Sequence, residues 1–172
     1  GRGRSVGLLP LAAAALLWMG TERPAVLVSD TGSLIGVLGA EGRALNKLKG
    51  DGFSANGWLE NDGFAIAQED AALIAQERTR VWRVQSGPIE VLIVSGKTAL
   101  AEIDACGGAN ILISNQQDAG ERDCLVFDQN KMAKTGAMAI SKTGELTTVR
   151  DVTGDRLWTS KSGSDRRDGP EP

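Results

Sequence analysis

Glycine recurs along the whole chain, 22 times in 172 residues, roughly twice its usual share of about 7%. Because glycine accepts backbone conformations that other residues avoid, this even scatter punctuates the chain with turns. It favours many short elements over a few long helices. The rest of the composition, 41% hydrophobic and 24% charged, fits one globular domain, and a chain of this length can bury roughly two-thirds of its unfolded surface. A miniprotein held by disulfides is excluded. The net charge of −3 supplies no global pull toward nucleic acid, so such contact would have to come from a local basic patch. The chain contains no histidine, which removes Ser-His-Asp, Cys-His and His-metal chemistry. Its two cysteines, Cys106 and Cys124, are too few for a four-cysteine zinc site or an iron–sulfur cluster.

Arg2 and Arg4 precede a stretch, Ser5 to Gly20, that reads SVGLLPLAAAALLWMG without a charge. It is shorter than the roughly 20 residues that cross an average bilayer, and it contains Pro10. Three readings fit: the end of a transmembrane segment over residues 1–20, a signal peptide, or a buried helix. In the first, Arg2 and Arg4 mark the cytoplasmic side and Trp18 lies near the far interface. The second is weakened by WMGTERPA, a poor match to a small-x-small cleavage site. The third would require a polar face repeating every 3.6 residues, which is missing. The membrane reading is preferred, and it puts the remainder of the chain outside the cytoplasm.

From Pro24 onward the pattern is strand and turn. Ala25 to Ser29, the turn Asp30-Thr31-Gly32, and Ser33 to Leu38 read as a hairpin, with Arg43 to Lys49 as a third strand. Phe53 to Leu59 and Asp70 to Gln76 have helical character on either side of the turn Asn61-Asp62-Gly63. Arg78 to Gln85 alternates as a strand does, and Ile89 to Val94 is an apolar run suited to a central strand. A helix is expected over Lys97 to Cys106, strands at Ile111 to Ser114 and Leu125 to Phe127, and a helical turn at Asn130 to Lys134. Ala137 to Ile140 and Glu145 to Val149 form a closing hairpin. The polar residues 159–172, rich in Gly, Pro and charge, carry the composition of a disordered tail.

Few constellations suggest chemistry. Ser95-Gly96-Lys97-Thr98 lies between a strand and a helix, where a phosphate loop would sit, with Asp128 at a neighbouring strand end as a Mg²⁺ candidate. The loop motif needs a first glycine where this chain has Val91, still inside the strand. A tight turn with Ser95 as helix N-cap is the simpler reading, and no nucleotide, cofactor or metal site is assigned. Arg78, Arg80 and Arg83 surround Trp82, a combination that can hold single-stranded DNA through phosphate contact and base stacking. Alternation puts Arg78, Arg80 and Trp82 on one face and Arg83 on the other, and a solvated or charge-protected sheet face explains the same residues. Cys106 and Cys124 are candidates for a disulfide if the domain lies in an oxidising compartment, and otherwise for two small buried apolar groups. The carboxylates Asp30, Asp51, Asp62 and Asp128 stand isolated in turns.

Taken together, RPAVLVSDTGSLIGVLGAEGR, WLENDG, ACGGANILIS, RDCLVFD, KTGAMAIS and DRLW, spread over residues 23–158, resemble the C-terminal region of ComEC-type competence proteins. This is an inner-membrane DNA-internalisation family, and the likeness is to its alphaproteobacterial forms. LLPLAAAALLW looks like the end of that family's membrane bundle. Complete family domains carry a VGQGD-like turn and histidine clusters on a metallo-β-lactamase fold. Here SDTGSL takes the place of the turn, the HxHxDH segment has no counterpart, and Ser114-Asn115-Gln116-Gln117 stands where a His-His-Gly turn would be. Family hydrolase activity therefore does not carry over. The resemblance implies an α/β fold of the α+β kind, a reduced, degenerate metallo-β-lactamase-like αββα sandwich with mixed, largely antiparallel sheets, spanning residues 21–158. It also implies a non-catalytic domain on the periplasmic side of the bacterial inner membrane, attached to the rest of a DNA-uptake channel. A metal-independent hydrolase and an independent secreted binding domain are the alternatives.

Overall fold

The computed structural model describes residues 8–19, 22–75 and 80–154. Nine strands and six helices among them are short, as the spread of glycine leads one to expect. The first helix, α1 (Leu8–Met19), has 12 residues, and no helix among the described residues is long and apolar enough to cross a membrane. Residues 1–7 and 20, part of the expected membrane segment, and the expected tail over 159–172 lie outside the described residues.

Two sheets form the body. In the first, β1 (Val26–Val28), β2 (Ile35–Gly39) and β3 (Gly42–Leu45) make the expected antiparallel meander, and β8 (Met138–Ile140) and β9 (Leu146–Thr148) extend it in the order β3-β2-β1-β8-β9. In the second, of order β4-β5-β6-β7, β4 (Val81–Ser86) pairs antiparallel with β5 (Ile89–Val94), and β6 (Ile111–Ser114) and β7 (Leu125–Phe127) continue in parallel. The fold is thus mixed α/β, with one wholly antiparallel sheet and one mixed sheet in which two of the three pairings are parallel.

Side-chain alternation fixes how the layers meet. Val26, Val28, Ile35, Met138 and Ile140 of the first sheet bury against Val84, Val91, Ile93, Ile111, Ile113 and Phe127 of the second. The opposite residues of β5 and β6, Leu92, Val94 and Leu112, bury against α4 (Lys97–Ala101) and the loop holding Cys106. With both faces covered, Val91 to Val94 and all four residues of β6 are buried, as parallel strands require. On the outer side of the first sheet, α2 (Gly52–Asn61) and α3 (Gln68–Ile74) close over Leu34 and Leu45.

Three local expectations need correction. The helix expected over Lys97 to Cys106 ends at Ala101, because Arg122 Nη1 takes the Ile103 carbonyl and Asp123 Oδ1 takes the Cys106 N–H. Its N-cap is Gly96, at φ 98°, not Ser95, and the Gly96 N–H donates to Asn115 Oδ1. The expected strand over Glu145 to Val149 gives way at Val149 to α6 (Val149–Thr153), where Thr148 and Asp151 form a reciprocal capping box. Between β7 and β8, α5 (Gln129–Thr135) follows the expected helical turn closely.

Candidate functional site

Between the two sheets, at the end where β5 and β6 release their chains, lies a polar cleft of about 300 Å³. Ser33, Asn46 and Lys47 from the loops of the first sheet line one side, and Arg80, Trp82, Ser95 and Asn115 of the second line the other. Trp82 faces the cleft because it pairs across the strands with Ile93, whose side chain belongs to the inter-sheet core. Arg80, two residues earlier and exposed, opens onto the same cleft. Arg83 lies on the opposite face, where it pairs with Glu90 at 2.7 Å and donates to the carbonyls of Cys106 at 3.1 Å and Gly107 at 3.4 Å. Arg78 falls outside the described residues.

The first-sheet wall is held by a polar network. Asn46 accepts the Ile35 N–H through Oδ1 at 2.9 Å and donates from Nδ2 to the Ser33 carbonyl at 3.0 Å, which clamps the loop after β1. Ser29, Thr31 and Ser33 join their hydroxyls in a row at 3.0 and 2.8 Å. Ser33 donates onward to Asp51 Oδ2, and Lys47 Nζ donates both to Ser33 Oγ, at 2.9 Å, and to Asp51. Asp51 breaks two local rules to do this. Its φ of 52° is the one positive value for a non-glycine residue among the described residues. It also occupies the N-cap of α2, yet its carboxylate makes no cap hydrogen bond. A left-handed, non-capping aspartate costs backbone energy that its contacts must offset, and such departures concentrate at functional sites. Hydrogen bonding from the Lys47 ammonium, and next from the Ser33 hydroxyl, holds the Asp51 carboxyl below its ordinary range.

The other sequence candidates have structural roles. Cys106 and Cys124 form a disulfide with a Cα–Cα distance of 6.1 Å. With Asp123 they make a group of three residues whose thiol or carboxylate atoms lie within 4.8 Å of one another, but the two sulfurs are bonded to each other. Asp128 caps α5 by accepting the Lys131 N–H at 2.8 Å, and its other oxygen takes the Asp118 N–H at 3.2 Å. Ser95 and Lys97 flank a turn in which the strand runs to Val94, leaving no loop to wrap a phosphate. Sequence reasoning missed Ser33, Asn46, Lys47 and Asn115 as cleft residues, and Asp51 as the anion that holds Ser33 and Lys47 in the wall. The four-residue spacing of Lys47 and Asp51 was the available signal, hidden because the segment carries no helical pattern. Comparison with protein-family models, with curated proteins and with solved structures finds no match.

Proposed function

We propose that this chain is the extracytoplasmic C-terminal domain of a ComEC-type DNA-uptake protein of the bacterial inner membrane. In this reading it faces the periplasm, joins the membrane through residues 1–20, and contacts single-stranded DNA without breaking bonds in it. The resemblance of residues 23–158 supplies the family. A metallo-β-lactamase-like ancestry for the two-sheet body belongs to the same proposal, and the helices outside each sheet support it. The observation that carries the DNA contact is the cleft, in which Arg80 and Lys47 flank the half-buried Trp82. Arg80 takes part in none of the ion pairs among the described residues, so its charge is available to a phosphate. An aromatic face beside cations is the means by which proteins hold single strands without reading sequence.

One observation favours the second reading, a metal-independent hydrolase: the Ser33 hydroxyl sits between Lys47 and Asp51. A carboxylate held below its usual range is a weak proton acceptor, however, and Lys47 is engaged as a cation. The non-catalytic reading is therefore preferred. Fluorescence anisotropy with a labelled oligo-dT tests it. Trp82→Ala should weaken binding by about 1–3 kcal/mol, the usual worth of one stacked base. Arg80→Ala should flatten the dependence of log affinity on log salt by about 0.7, the share of one single-strand phosphate. Wild-type protein that fails to bind at low salt, or that binds no better than a variant carrying both Arg80→Ala and Trp82→Ala, would remove the DNA contact from the proposal.

A further inference from the structure

Among the described residues, α2 and α3 cover the outer side of the first sheet toward β3. Over β1 and β8 the cross-strand pair Leu27 and Ala139 forms the floor of an open groove of about 300 Å³. Trp58 of α2 stands at one wall and Val149 and Val152 of α6 at the other. Val149 is 47% exposed and Val152 75%. Two exposed valines on a five-residue helix, beside an apolar floor, mark an apolar surface that the described residues leave open.

We propose that Leu157 and Trp158 of this same chain fill the groove and complete the outer layer as a C-terminal latch. Three observations point to this occupant. First, α6 ends at Thr153 on the groove's rim, and Gly154 follows at φ 65° with its N–H returned to the Arg150 carbonyl, a glycine stop that ends the helix there. Second, residues 155–172 follow, and Leu157 and Trp158 are their only large apolar side chains. Third, these two stand three and four residues beyond Gly154, so extended chain of about 3.3–3.6 Å per residue keeps Trp158 within about 14 Å of it. The rest, TSKSGSDRRDGPEP, offers no competing apolar group. A latch in this position would shield Val152 and the β1–β8 row from water while leaving the DNA cleft between the sheets open. It is independent of the DNA reading.

Truncation separates the latch from the polar residues behind it. Chain ending after Ser160 should melt as the full chain does. Chain ending after Gly154 should melt about 5–10 °C lower, given the apolar area of two large side chains, with faster amide exchange at Leu27 and Ala139. A photo-crosslinking residue in place of Trp158 in the full chain gives a second readout that does not depend on the truncated form folding. Crosslinks within one chain to peptides containing Leu27 or Val152 are expected. Crosslinks between two chains, crosslinks elsewhere on the surface, or equal melting of the two truncations would overturn the latch.

Discussion

Arg43 is fully buried, and its guanidinium divides between Asp62, the Gly36 carbonyl at 3.2 Å and the Pro24 carbonyl at 3.1 Å. Gly36 makes the room: a Cβ there would lie 2.7 Å from Arg43 Cδ. Arg43→Met should cost about 3–5 kcal/mol, because Asp62 would stay buried with an uncompensated charge. Arg23 is its remaining cation, 3.9 Å away and half in solvent. The double variant Arg43→Met/Asp62→Leu should recover much of that loss in urea denaturation, and a double variant as unstable as the single would refute this account of the pair. Asp51 poses the converse case. Asp51→Gly relieves a left-handed backbone costing about 1–3 kcal/mol and loses a partly exposed ion pair worth up to about 1 kcal/mol. Its stability should stay within about 1 kcal/mol of wild type or rise, while Lys47, freed of its anion, should tighten oligo-dT binding. A large loss of stability would instead make the Ser33-Lys47-Asp51 network structural. Neither residue could be assigned from sequence alone, because each owes its role to a neighbour that only strand register or loop closure brings near.

At the scale of elements, periodicity revealed what it physically encodes. The apolar run of β5 and the alternation of β4 are consequences of burial on two faces and on one, so both could be read directly. Helix ends were less legible. The stop of α4 depends on Arg122 and Asp123 reaching in from a distant loop, and the start of α6 on one capping box inside an expected strand. The same distant loop contains the disulfide, which ties the end of the α4 connection to the start of β7 across 18 residues. Closing a loop of that size is worth about 3 kcal/mol in the chain-entropy model. Cys106→Ala/Cys124→Ala should therefore unfold at lower urea, with the fastest added exchange between Gly107 and Asp123. Unchanged stability would place the constraint elsewhere, with the Asp118–Arg122 pair at 2.8 Å the first candidate.

For the whole molecule, the meander and the closing hairpin were legible as local antiparallel units, but their union into one sheet was not. Val26 pairs with Val37 on one side and with Ile140 on the other, and nothing local in VLV selects the distant partner. What the sequence does govern globally is titration. With no histidine in the chain, no side chain has its ordinary pKa between about 5 and 8. The shifted carboxyls all move one way. Asp118 is held below the usual 3.8 chiefly by its hydrogen bond from Arg122, Asp51 by Lys47, and Asp151 by Thr148. A carboxyl whose folded pKa is depressed gives stability that is present above its unfolded pKa and is lost as pH falls through the folded value. The melting temperature should accordingly stay nearly flat from about pH 5 to pH 8 and decline below about pH 4. Asp118→Asn should melt lower at neutral pH and decline less steeply in acid, since its share of the proton uptake is gone. A wild-type protein whose stability changes sharply between pH 6 and 7 would contradict this, because the chain has no side chain whose ordinary titration lies there.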